Sequence, residues 1–472
     1  MDIQIGKFRD YYELKFKPFL KPFFLGKITF ILWLVSPLII SLCSHIIAHN
    51  LGDKDGIISG HTKFIIKDIL FISLFLIPVL IYFKLKNLNI ILSSIYFYIS
   101  LPIAFAIRIW LASLGGNFDL ESYNIVADLI IEGKQVYTNT WRYNYAPFWA
   151  YTLAGLKFLA LKFNNSANVF HFLIVSVLFS AEIFIAFQLL KKYKNPFIAI
   201  LFILNPIGMV ITGFHSQFDV LAIAFGYSAS LNLKENKFVK GSVLLGISLI
   251  VKHIMVFYAF FLIFDKTISF KNKCIILAIP IILFLSSFLP FLYQIDAIKE
   301  NVFGYKFGFN GGIYSQILHL ILPEQLVKTA LFKWMPVFKD WMFIWFITMV
   351  FLGFLVQKYL KEYTFEMYLL IIVASSVSFS EQYLYIPVLA LSVFYKKMGT
   401  WIYIFLASFY LIFVSYNNLE PQKWLEFIGI EIINDNWRYS YANIQFWLII
   451  VIISLFMKAY KLNCTQVEKR IT

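Results

Sequence analysis

Charge is what this chain has least of. Only 14% of its 472 residues are Asp, Glu, Lys or Arg, against about 25% in soluble domains, which excludes an ordinary solvated fold. Cysteine is scarce as well. Cys43, Cys274 and Cys464 are scattered and share no metal-ligand spacing, so neither a disulfide framework nor a zinc site is expected. No low-complexity linker, short-period repeat or soluble domain interrupts the sequence, which reads as one unit over 1–472. Acidic residues are outnumbered by basic ones, 26 to 41, giving a formal charge of +15. In so apolar a chain that surplus belongs to Lys-rich loops facing anionic lipid, and no nucleic-acid partner is expected. No cleavable signal peptide is expected either, because the aromatic, basic segment from Phe8 to Lys21 precedes a long hydrophobic span.

Apolar length is what the chain has in abundance. Apolar residues make up 60% of it, mean hydropathy is +0.75, and long apolar runs recur from Ile28 to Met457. These features predict an all-α, polytopic transmembrane bundle. Spans are expected near 23–48, 64–83, 88–113, 168–190, 196–212, 217–233, 274–293, 341–357, 364–379, 382–396, 399–416 and 443–461. Between the lysine clusters at 234–240 and 266–273 the apolar stretch is too short for two full spans. It reads as two half-helices meeting at Lys252-His253, a break tolerated only where it lines a protein cavity. Together these give about fourteen crossings, with both termini and every lysine cluster on the cytoplasmic side. Outside lie the long segments 114–167, 294–340 and 417–442. The first holds a short amphipathic helix, Glu121 to Glu132, and a second helix, Pro147 to about Phe163. Charge placement lays that second helix along the outer surface.

Ionisable residues inside such spans are costly and mark partners or cavities. Arg108, Asp219, Lys252, His253 and Glu381 fall toward the outer leaflet and are expected to line one polar cavity. Glu182 lies mid-span and reads as a helix–helix hydrogen bonder. In the first outer loop Asp119 and Glu121 stand two residues apart. Either suits a general base or a metal ligand, and equally a turn residue or first-turn acid. Trp141-Arg142-Tyr143-Asn144-Tyr145-Ala146-Pro147 sets aromatics around one arginine, a pattern for phosphate and sugar rings or for an interfacial belt.

Three patterns in order resemble the GT-C superfamily of polyprenyl-phosphate-dependent membrane glycosyltransferases. They are similar in particular to the dolichyl-phosphate-glucose-dependent glucosyltransferases and to prokaryotic membrane mannosyltransferases. Gly116-Asn117-Phe118-Asp119-Leu120-Glu121-Ser122-Tyr123, followed by Tyr143-Asn144-Tyr145-Ala146-Pro147-Phe148-Trp149-Ala150-Tyr151, looks like the family's acidic and aromatic-proline outer loop. Gly213-Phe214-His215-Ser216-Gln217-Phe218-Asp219 is similar to its His-x-Gln-aromatic-Asp signature. Val251-Lys252-His253-Ile254-Met255 with Tyr258 looks like its Lys-His helix break. Likeness is fainter at Gly304-Tyr305-Lys306 and Glu381-Gln382-Tyr383. One departure is Asn117, which stands where the eukaryotic loop carries its acid.

The resemblance implies a GT-C-like bundle in a prokaryotic cytoplasmic membrane with its site facing outward. There a hexose, of mannose or glucose type, would pass with inversion from a polyprenyl-phosphate donor to a lipid-linked or cell-envelope glycan. Asp119, or else Glu121, would be the base. Lys252, His253 and Arg142 would stabilise the leaving phosphate, and His215, Gln217 and Asp219 would hold the sugar or phosphate. Arg108, Tyr143, Tyr145, Lys306, Glu381, Gln382 and Tyr383 are further candidates for substrate contact. No cofactor is required; if Mg or Mn binds, Asp119 and Glu121 are its expected carboxylates. A lipid-linked-glycan flippase, transporter or polymerase is the competing reading, since it too would use buried charge and broken helices.

Overall fold

The computed structural model describes residues 90–164, 166–304, 335–376, 380–415 and 440–471, which lie within one unit, Ile90–Thr472. The expected spans at 23–48 and 64–83, most of the loops 294–340 and 417–442, and Lys306 fall outside the described residues. Those described are helical, with no strand among them.

In chain order the helices are α1 (Ile90–Ser113), α2 (Phe118–Ile131), α3 (Pro147–Ala160), α4 (Ser166–Tyr193), α5 (Pro196–Ile203) and α6 (Pro206–Gly213). They continue with α7 (Asp219–Lys234), α8 (Phe238–Val251), α9 (Tyr258–Ile263), α10 (Phe270–Ser286) and α11 (Met335–Tyr359). Last come α12 (Thr364–Ala374), α13 (Val388–Val393), α14 (Met398–Ser415) and α15 (Ser440–Ile471). Among the described residues, three helices are long and apolar enough to cross a membrane alone, over Ile95–Ser113, Ser166–Tyr193 and Ile444–Leu462. Two bent pairs extend that number to five if each is one span: α5 with α6, and α10 with Leu289–Phe303.

The bends have local causes. The stretch 196–212, expected as one span, folds as two helices meeting at 44°. Asn195-Pro196 and Asn205-Pro206 each start a helix. The two Asn side chains accept from Phe197 N at 3.0 Å and Ile207 N at 3.1 Å, and each proline takes the first helical position. Residues 274–293, also expected as one span, end their helix at Ser286 and continue at 53° through the turn Leu289–Gln294. At 382–396 the structure has a 3-10 turn, Glu381–Leu384, and six-residue α13. At about 1.5 Å per residue, α13 alone does not cross a core of about 30 Å.

α12 is buried from Thr364 to Ala374, as befits a helix apolar on every side. α7 packs along α8, and α8 along α10. Because α7 runs from Asp219 to Lys234 and α8 returns from Phe238, Asp219 and Lys252 share the end of the bundle opposite Lys234 and Lys237. α1 lies against α4, α5 and α6. At the end of α6 a Cβ on Gly213 would stand 3.1 Å from both Arg108 Cα and Arg108 O, a close approach that glycine permits.

Candidate active site

At that end of the bundle four segments converge: the first turn of α2, the 214–218 connection, the break after α8 and the Glu381–Leu384 turn. α2 begins three residues before the expected Glu121. Asn117 is its N-cap, its Oδ1 accepting from Asp119 N at 3.0 Å, so Asp119 lies inside the first turn. The same Asn117 donates through Nδ2 to Asp119 Oδ2 at 3.2 Å and to His215 Nδ1 at 2.8 Å. Gln217 Nε2 donates to Asp119 Oδ2 at 2.5 Å, and Tyr123, one turn along α2, reaches Gln217 Oε1 at 3.4 Å.

One carboxylate oxygen of half-buried Asp119 is therefore held by two amide groups. Among the described residues, none bonds the other. Burial pushes the Asp119 carboxyl up, against the opposing pull of Lys252 and the two amides, with Asp219 adding to the rise. Glu381 is pushed up to about 7, by burial first and by Asp119 second. Because Asn117 donates to His215 Nδ1, that nitrogen is the acceptor of a neutral ring. The Glu381 carboxyl oxygen 3.6 Å from it has no proton to receive there.

The His-Ser-Gln turn owes its shape to Ser216, whose φ of 55° is left-handed. For a residue other than glycine that conformation costs on the order of 1–3 kcal/mol. His215 N and Gln217 N bond back to Val210 O at 3.1 Å and Ile211 O at 3.0 Å, and this folds the turn over the end of α6. His215 and Gln217 both reach the first turn of α2 as a result.

Lys252 stands at the helix break, in extended backbone between α8 and His253–Met255. Its ammonium donates to Asp219 Oδ2 at 2.6 Å and to Gln382 Oε1 at 2.9 Å. It also lies 4.8 Å from the Phe218 ring centroid and 5.3 Å from that of Tyr145. An ammonium has three donors, so one is left for a ligand. Asp219 Oδ1 is buried with no hydrogen-bond partner. His253 enters through its ring, 6.2 Å from that of Tyr145.

Other candidates lie elsewhere. Arg108 was expected at the cavity, but it is wholly buried against Glu182, with Nε to Oε2 at 2.7 Å and Nη2 to Oε1 at 3.0 Å. The helix–helix role expected of Glu182 holds, and it takes Arg108 with it. Glu121 and Arg142 pair with each other at 3.0 Å, away from Asp119, because residues two apart on a helix point to different sides. Asp119 and Glu121 consequently share no partner, and among the described residues no group of three His, Cys, Asp or Glu is placed to hold a metal. Tyr143 spends its hydroxyl on backbone, donating to Ala146 O at 2.6 Å and accepting from Ala150 N at 3.0 Å, which sets the start of α3. Tyr383 lies in the Glu381–Leu384 turn beside Gln382.

No family model matches the chain, and no curated protein matches it. The site's meaning thus rests on its own geometry. Asn117, Tyr123 and Phe218, which lie within the quoted motifs but were not among the candidate contacts, also belong to it. Tyr123 was discoverable, since it follows Asp119 by four residues and so shares its helix face.

Proposed function

We propose that this protein is a GT-C-like membrane glycosyltransferase that moves a hexose, of mannose or glucose type, from a polyprenyl-phosphate donor to a lipid-linked or cell-envelope glycan. In this reading the chain crosses a prokaryotic cytoplasmic membrane about fourteen times with both termini inside. The Asp119–Lys252 end then faces outward, where the donor's lipid stays in the bilayer and its phosphosugar enters the protein. The observation that carries the proposal is the Asp119 carboxylate: half-buried, anchored by one oxygen and raised by burial, within the field of one ammonium.

In the reaction Asp119 takes the proton of an acceptor hydroxyl as that oxygen bonds to the anomeric carbon. The bond from that carbon to the phosphate oxygen breaks, its electron pair leaving with the lipid phosphate, and the anomeric configuration inverts. Lys252 offers its remaining donor to the departing phosphate, held in place by Asp219 and Gln382. Asn117 and Gln217 keep Asp119 oriented, and His215, as a neutral imidazole, orders Asn117. Arg142 has no part in this step, because its charge is matched by Glu121.

The test is turnover of a panel of polyprenyl-phosphate hexoses by protein in nanodiscs, with wild type and Asp119→Asn compared after their size-exclusion profiles are matched. Loss of the base is expected to slow turnover by about 10²- to 10⁴-fold. Undiminished turnover in a folded variant would remove Asp119 from the role. EDTA in the same assay reports any use of Mg or Mn. The interrupted helix at Lys252 also suits a flippase or polymerase. Donor binding without turnover, together with lipid movement across proteoliposomes, would favour that reading.

A further inference from the structure

Asp119 faces inward, but the first turn of α2 has a second face. Phe118 is 52% exposed there, beside Trp141, which is 70% exposed. Their ring centroids are 6.3 Å apart with planes inclined at 33°. The Arg142 guanidinium lies 4.1 Å from the Phe118 centroid and 6.0 Å from that of Trp141. Glu121, itself well exposed, closes the group with its 3.0 Å ion pair to Arg142. Two aromatic faces thus open to solvent next to a fixed pair that offers both donors and acceptors.

We infer that this surface is the docking platform for the acceptor saccharide. The apolar C–H face of a pyranose stacks on Trp141 and Phe118, while its ring-edge hydroxyls reach Glu121 and Arg142. The inference rests on the transferase reading. Phe118 directly precedes Asp119 but lies on another face of the same helical turn, so a saccharide seated here reaches the base through the next sugar residue of the glycan.

Charge separates this surface from a lipid contact. A phosphate headgroup approaching Arg142 meets the Glu121 carboxylate as well, and finds no net positive charge. The chain carries a different surface suited to lipid. Phe148, Tyr151, Phe158 and Phe163, on α3 and just beyond it, are exposed without a paired acid, and Lys162 lies 5.4 Å from the Phe158 ring. An exposed tryptophan with an acid–base pair at its edge fits a ligand that is amphipathic and uncharged.

Two measurements on the full chain in nanodiscs test this. Trp141→Ala and Phe118→Ala are each expected to raise the acceptor KM about tenfold, while donor turnover to water without acceptor stays at the wild-type rate. Trp141→Tyr should keep most of the affinity. An equal fall with and without acceptor would overturn the inference. Separately, the emission of wild type minus Trp141→Phe isolates Trp141 and needs no turnover. A change on titration with methyl hexosides and disaccharides supports the platform. No change with any saccharide, or quenching by brominated lipid, overturns it. Failure of the transferase reading shows instead as the absence of donor turnover in wild type, with the fluorescence result standing apart.

Discussion

Among the described residues, the ion pairs Arg108–Glu182 and Lys252–Asp219 are both buried at each partner, and they are built differently. Arg108 and Glu182 lie mid-helix in α1 and α4, both fully buried. Arg108 also donates to Thr212 Oγ1, Ala104 O and Ile203 O, and Tyr385 donates to Glu182 Oε1 at 3.1 Å. Lys252 and Asp219 instead lie at chain breaks. Lys252 has a donor to spare and Asp219 an oxygen without a partner. The first pair draws protein partners at both residues, although Glu182 Oε2 has only its 2.7 Å ion pair to Arg108 Nε and no hydrogen bond, and this suits a charge pair that holds helices together. The second keeps one ammonium donor without a protein partner and is tolerated because Asp219 opens α7, where the helix N-terminus supports a negative charge.

The largest effect should come from breaking the first pair. Arg108→Met strands Glu182 in the core and should cost about 3–5 kcal/mol, seen as a lost or broadened size-exclusion peak and a lower melting temperature. Arg108→Met with Glu182→Leu should recover much of that loss. A single variant as stable as wild type would mean that Arg108 is not structural. Lys252→Met provides the contrast: it should fold, because Asp219 keeps its helix end, yet slow donor turnover about a hundredfold or more. If Lys252→Met unfolds as readily as Arg108→Met, the two pairs are alike and the distinction drawn from their bonding is wrong. Tyr385→Phe, which deletes one hydrogen bond to Glu182 and leaves the ion pair, should cost about 1–2 kcal/mol in the same melting experiment.

The difference between the pairs was only half visible in the sequence. Lys252-His253 could be placed at a break because two lysine clusters bound a stretch too short for two spans. The His215-Ser216-Gln217 and Asp119 motifs were visible because polar residues are rare in so apolar a chain. Arg108 could not be told from the site residues, since its partner is 74 residues away and only packing brings them together. Arg142 and Glu121 were read as a phosphate ligand and a second base without sight of each other; only the fold shows that they pair. The bend at Asn205-Pro206 was legible in principle. It repeats the Asn-Pro start at 195–196, but uninterrupted hydrophobicity on both sides outweighed the cap signal.

The smallest expected effect is one of pH, and it asks whether the open site is tuned by its neighbours. Glu381, pushed up to about 7, holds its proton more tightly in the folded chain than in the unfolded one, where a glutamate ionises near about 4.3. Between those values the folded protein binds more protons, so stability falls as pH rises toward 7 and the contribution is complete only below the unfolded value. Glu381→Gln removes that dependence. Melting temperatures measured from pH 4 to 8 should show wild type losing ground to the variant as pH rises, by an amount on the order of 1 kcal/mol once solvent screening at this partly exposed side chain is allowed for. A parallel pair of curves would mean that folding does not raise the Glu381 carboxyl. Convergence of the wild-type and variant curves at the acid end would show that the fold raises Glu381, and the same scan in an Asp119→Asn background separates the share due to Asp119 from the larger share due to burial.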